Sequence, residues 1–190
     1  VARTFNTGTM RITPHLAWFP DSRSSAKGVA AVSVEFGTDP LHVRVDGGFS
    51  GGPGAAVDVA LRTQQREAWL RASKRPEDFA AIKASQPPGT QAEGAWTERL
   101  GEDTTVSVSG SASRIQIAQT QARSAAARAE LRHQLDANWS AMLMASGGDF
   151  RASTGDAIRR ETVGGGVAWD SPQWGASAQY RYQTTSASDH

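Results

Sequence analysis

Hydrophobic and polar residues alternate with a period of two along most of this chain. The pattern is plainest in residues 127–146, ARAELRHQLDANWSAMLMAS. On the way in, Ala127, Ala129, Leu131 and Leu135 share one parity, with His133 as the exception; Arg128, Glu130, Arg132 and Gln134 share the other. Asp136-Ala137-Asn138 supplies a tight turn, and Trp139, Ala141, Leu143 and Ala145 resume the apolar parity. Successive side chains of a β-strand point to opposite faces of its sheet. The segment therefore predicts a hairpin with one greasy face and one face carrying full charges.

The same grammar lays out about ten strands, at residues 9–19, 28–37, 41–50, 55–64, 91–100, 104–117, the two of the 127–146 hairpin, 161–169 and 174–183. Pro14 interrupts the first and places it at an edge or a bulge. Glu98 breaks the pattern of the fifth. In the sixth, Ile115 and Ile117 fall on the polar parity, which suggests a bulge near Arg114. Residues 65–90 read as one long irregular loop whose QREAWLRASK and EDFAAIKAS segments suit short helices. With this count, short turns and longer connections alternate, though imperfectly, and the aromatics Trp18, Phe49, Trp96, Trp139, Trp169 and Trp174 flank turns at one end. Tyr180, Tyr182 and Phe36 fall toward the other. The expected fold is all-β, an antiparallel up-and-down meander forming one β-barrel domain over residues 1–190, or part of one.

Two architectures accommodate a greasy face. A soluble sandwich or barrel hides it in a core; a membrane barrel turns it to lipid and keeps the charges in the lumen. Composition leaves both open. The 190 residues are 38% hydrophobic with a net charge of +1, which gives no strong attraction for polyanions, and the charge-balanced polar face speaks against nucleic-acid binding. Cysteine is absent, so there is no disulfide framework and no cysteine metal site. No run approaches the roughly 18 apolar residues of a membrane helix. The chain opens at Val1 without a signal segment and closes on SASDH without a terminal aromatic, and the expectation is a fragment of something longer.

The segments AELRHQLDANWSAML, AWTERLGEDTTVSVSG and VGGGVAWDSPQWGASAQYRYQ each combine strand, tight Asp/Gly turn and strand with a nearby tryptophan. In this the chain resembles the Gram-negative outer-membrane β-barrels, porin-like ones included. Two features depart from that family: tyrosine numbers only two, and the terminal aromatic is missing. The resemblance implies a cell-envelope protein in the bacterial outer membrane, a lipid-bilayer partner, polar small solutes or oligosaccharides as cargo, and no cofactor. The tryptophans above, with Tyr180 and Tyr182, become membrane-interface residues. Arg44, Asp46, Asp58, Arg62, Glu93, Arg99, Arg128, Glu130, Arg132 and Arg181 become pore-lining candidates. The 65–90 loop becomes a constriction or gate, with Trp69, Arg71, Lys74, Arg75, Glu77 and Asp78 as candidates. The alternative is a soluble secreted or periplasmic β-sandwich or barrel that binds a ligand or protein without catalysis.

Catalytic and metal motifs fail on mechanical grounds. Gly48-Phe49-Ser50-Gly51-Gly52 matches G-x-S-x-G, but a nucleophile elbow requires a helix after it, and Pro53-Gly54 and another alternating strand follow. His15, His42, His133 and His190 have no partner at metal-ligand spacing; His42 and Asp46 on one strand lie about 13 Å apart. Gly164-Gly165-Gly166 lacks the Lys and Ser/Thr of a phosphate loop. The expectation is no metal and no enzyme, with an outer-membrane hydrolase as the exception. Burial of Leu131, Val43, Val57 and Trp174 in one interior would decide for the soluble architecture, and their exposure on one face of a single-layer sheet for the membrane one.

Overall fold

A computed structural model describes residues 5–19, 27–49, 53–75, 89–117, 120–155 and 157–188. They form twelve strands: β1 (Phe5–Thr7), β2 (Met10–Phe19), β3 (Lys27–Thr38), β4 (Leu41–Phe49), β5 (Pro53–Arg62), β6 (Arg66–Arg75), β7 (Gly89–Leu100), β8 (Thr104–Ile117), β9 (Thr120–Gln134), β10 (Trp139–Ala152), β11 (Ala157–Asp170) and β12 (Gly175–Ser188). All belong to one antiparallel sheet whose spatial order is the sequence order. The all-β up-and-down meander is therefore as the alternation predicts. Among the described residues β1 and β12 do not pair with each other.

The additional strands are β1 and β6. Strand β6 corrects the expectation of a loop over 65–90, because Arg66–Arg75 pairs with β5 on one side and β7 on the other. Its turn is made without glycine or proline: the Thr63 hydroxyl accepts the amide of Arg66 at 2.9 Å, and the Thr63 amide donates to the Arg66 carbonyl at 2.7 Å. A threonine side chain thus does locally what turn residues usually do. EDFAAIKAS, with Glu77 and Asp78, lies outside the described residues.

Adding β6 also moves the aromatics. The 8–9, 39–40, 63–65, 101–103, 135–138 and 171–174 connections now share one end of the sheet, each two to four residues long. The connections at 20–26 and 76–88 lie at the other end, with 50–52, 118–119 and 153–156. Trp96, Trp139, Trp169, Trp174 and Phe36 flank the short-turn end. Trp18 and Phe49 stand at the opposite one, which corrects the single-ended arrangement read from ten strands. In register, Tyr180 lies level with Gly165 and Leu143, and Tyr182 with Val163 and Ala145, so both sit within the apolar band rather than at a rim.

Pairing register assigns every residue to a face. Leu131 lies opposite Leu143 and Val106; Val45 lies opposite Val34 and Val57; Trp96 lies opposite Ala68 and Val108. These and their neighbours make one apolar face running from Met10 to Tyr182. Among the described residues no second layer covers it: Leu143 is 62% exposed and Tyr180 73%, and of the apolar side chains only Ala122 and Met144 are buried. Val43, Val57 and Leu131 share this face, Trp174 stands exposed in the 171–174 connection, and no interior core among the described residues holds them. The buried side chains, Ala122, Met144, Ser33 and Ser140, point to the other, charged face. A hollow of about 670 Å³, reaching from Trp69 on β6 to Arg160 on β11, opens on that same face. Because the buried side chains all lie there, the charged face is the concave one and the greasy face is convex.

Exceptions to the alternation find local reasons. Glu98 sits on the apolar face and is paired with Arg66 across the strands at 2.7 Å. His133, also there, shares a hydrogen bond of 2.8 Å between Nδ1 and the Thr104 hydroxyl. The bulge expected near Arg114 is absent: the β8–β9 register runs unbroken from Thr104↔His133 to Ile117↔Thr120, so Ile115 simply lies on the concave face beside buried Ala122. Pro14 lies opposite Val32 of β3, and the described residues of β1 reach only as far as Ile12 of β2. In the 135–138 turn, the Asp136 carboxylate accepts the amides of Asn138 at 2.7 Å and Trp139 at 2.8 Å.

Gly164 and Gly166 let β11 and β12 approach closely. A Cβ at Gly166 would lie 2.6 Å from the Ala178 carbonyl oxygen, and one at Gly164 2.7 Å from that of Tyr180. We expect Gly166→Val to push the two strands apart and cost about 1–3 kcal/mol. Gly110→Ala, where the nearest atom is 3.5 Å away, is expected to cost well below that. Denaturant unfolding of the two variants checks the contrast.

Candidate functional site: a charged concave wall

All ten residues that the sequence marks as lining candidates lie on the concave face. The reason is their parity: each is in register with a polar or small partner on the same face, as Arg44 is with Glu35 and Asp58, and Arg128 with Ser109 and Ser146. The charges are organised into ion-pair groups rather than scattered.

The first group joins β2, β3 and β4. Glu35 receives Arg11 at 3.8 Å and Arg44 at 3.6 Å, and Arg44 also holds Asp46 at 3.0 Å. The buried Ser33 hydroxyl donates to Asp46. The second group joins β5, β6 and β7: Arg71 binds Asp58 at 2.9 Å and Glu93 at 3.5 Å. Its guanidinium carbon lies 6.0 Å from the centre of the Trp69 ring, at the outer limit of a cation–π contact. Arg62 and Glu67 pair at 2.6 Å nearer the short-turn end, and Arg128 and Glu130 at 2.7 Å along β9. Among the described residues Arg132 and Arg181 have only neutral partners, the Ser140 hydroxyl at 3.3 Å and the Gln179 side chain at 2.9 Å. Arg99 points to the same face from β7. The wall therefore alternates neutralised clusters with cations that keep their full field.

The gate candidates divide. Trp69 and Arg71 stand on β6 and project from the concave wall; Lys74, on the same strand, has the opposite parity and lies on the convex face. Arg75 ends β6 on the concave parity, and Glu77 and Asp78 are outside the described residues. Trp69 separates two hollows, the one of about 670 Å³ toward β11 and another of about 860 Å³ toward Arg11, Glu35 and His42. Sequence reading missed Trp69 as a wall residue. Its signal was present: Ala68, Leu70 and Ala72 alternate against Glu67, Trp69, Arg71 and Ser73, but the large ring sits on the polar parity and disguises the strand. Among the described residues no group of histidines and carboxylates could hold a metal ion.

The Arg71 pairs are more than one-third exposed, so their worth is small. Arg71→Gln is expected to lower stability by less than about 1 kcal/mol, and Asp58→Asn added to it is expected to cost less than Asp58→Asn alone. A double-mutant cycle by denaturant unfolding measures that coupling.

No protein-family model matches the sequence, and no curated relative does. Solved structures do match by shape. An in-vitro folded OmpT, an outer membrane protein of Vibrio cholerae, in its trimer form, aligns over 97% of this chain and 69% of its own, with a TM-score of 0.56 at 12% identity. A loop L8 deletion mutant of the same protein aligns over 97% and 74%, with a TM-score of 0.57 at 12% identity. The outer-membrane-expressed OmpT of Vibrio cholerae gives 97%, 70%, 0.55 and 11%. The chain has the fold of an outer-membrane β-barrel, and its uncovered apolar face fits it to the bacterial outer membrane.

Proposed function

We propose that the chain forms part of the wall of a porin-like channel that passes polar solutes, small charged molecules or oligosaccharides, across the outer membrane. The observation that carries this reading is the concave face: among the described residues it is a wall of arginines and carboxylates with no apolar plug, opposite a convex face with no polar cover. Lipid takes the convex face, because the hydrocarbon region accepts alanine, valine and leucine without cost. Water takes the concave one, because the ionised groups there need it.

Within this reading, Trp69 and Arg71 narrow the passage from the wall itself. This replaces the constriction expected from a 65–90 loop. The cations without carboxylate partners, Arg132 and Arg181, together with Arg99, favour anionic or strongly dipolar solutes, since charged linings select by sign. The end with the longer connections at 20–26 and 76–88 faces outward, as the longer loops of such barrels do. The channel works by diffusion, with no cofactor and no catalytic step.

Two measurements test the reading. Leu143→Arg, in the middle of the convex face, is expected to cost about 2–4 kcal/mol in lipid vesicles, and Gln179→Arg on the concave face well under 1 kcal/mol. Equal costs would contradict a lipid-facing convex surface. In planar bilayers the protein is expected to conduct ions with a preference for anions. The combined Arg99→Glu, Arg132→Glu and Arg181→Glu variant is expected to reverse the sign of its reversal potential. No conductance from folded protein would overturn the channel.

A further inference from the structure

The convex face is not apolar throughout. Strands β8 to β12 are 14 to 15 residues long, where about 9–11 suffice to cross a bilayer. The excess lies toward the end with the longer connections. There the outward parity changes character within one register step. Ala72, Ala92, Ala112 and Ala125 stand in one line across four strands, and Asp149 ends that line on β10. The next line outward reads Lys74, Thr90, Arg114, Arg123 and Arg151 across β6 to β10.

Arg114, Arg123 and Arg151 are thus directly opposed on three adjacent strands. Like charges in direct cross-strand opposition repel, and the three span about 10 Å at the usual strand spacing. Their neighbours neutralise them only in part. Arg114 donates to the neutral Gln121 side chain at 2.8 Å. Arg151 shares Asp149 at 3.1 Å. Arg123 makes no hydrogen bond or ion pair among the described residues. The remaining acid of this outward collar, Glu161, is held by Arg159. The row therefore keeps a net positive field immediately beyond the apolar band and on the same face as it.

We propose that this row is a docking site for the net-anionic phosphate headgroup of an outer-leaflet lipid. A lipid whose chains lie along the alanine line presents its headgroup at the height of the arginines. Guanidinium groups take phosphate oxygens in bidentate fashion, and bound phosphate would relieve the mutual repulsion of the three cations. The concave-face charges cannot serve, because they point away from lipid. The inference rests on the lipid-facing convex surface and on the outward end proposed above, and not on the passage of solutes.

The test is lipid retention by the protein in detergent micelles, read by native mass spectrometry with phosphatidylglycerol against phosphatidylcholine as probes. Wild type is expected to retain the anionic lipid by about tenfold or more over the zwitterionic one. Arg114→Gln, Arg123→Gln and Arg151→Gln together are expected to bring the ratio close to one. Arg123→Gln alone, the least disruptive change, is expected to lower it several-fold. Heat-modifiable gel migration identifies variants that remain folded. Inorganic phosphate forms a separate arm. If millimolar phosphate protects the protein while wild type shows no lipid preference, the row takes free phosphate and the lipid proposal is overturned. Equal lipid preference in wild type and a folded triple variant also overturns it. Conductance of the triple variant is expected to match wild type, so loss of conductance would speak to the channel and not to this site.

Discussion

Everything in this structure depends on the backbone ladder that joins each strand to its sequence neighbours. In hydrocarbon a peptide group without a partner is costly, and water is not there to supply one. A sheet in continuous register meets that demand strand by strand, and the side chains are released from the task of building a packed interior. The outward residues need only be apolar and of modest size, which explains a face of alanines, valines and leucines with large rings concentrated near its edges. The inward residues can be ionised, because water reaches them.

The two faces answer to different physics, and each fault in the alternation is repaired on its own side. A carboxylate on the greasy face, Glu98, lies beside Arg66, and an imidazole there, His133, shares a hydroxyl. Both are close to the short-turn rim rather than mid-wall. On the charged face the repairs are larger: one arginine serves two carboxylates from two strands, as Arg71 does for Asp58 and Glu93. These bridges tie adjacent strands, but their exposure keeps each contribution small. They arrange field more than they add stability.

Most of the wall was legible in the sequence because a period of two is hard to counterfeit over several strands. The hairpin at 127–146, the strict alternation at 41–50 and the paired tryptophans around the 171–174 turn each carried their face assignment on the page. What was not legible has physical causes. Strand β6 hid because its turn relies on a threonine hydroxyl and because Trp69 occupies the polar parity. That one omission reversed the end assigned to Trp18, Phe49 and Phe36, since every hairpin inverts direction. The apparent bulge at Arg114 came from Ile115, which lies inward beside Ala122, where a concave wall can still bury an apolar group. The ion pairs themselves were beyond reach, because cross-strand partners depend on register, and register is set by turns whose lengths the pattern alone does not fix.

The strictly sequential sheet order has a consequence for how such a chain changes over time. No strand reaches past its immediate neighbours, so a hairpin unit can be duplicated or lost with only one seam to heal. The face assignment survives, because a pair of strands restores both direction and parity. A single strand gained or lost would not: it would exchange the two ends of everything downstream. The wall is modular in twos, and its circumference is a quantity that gene duplication can adjust in even steps.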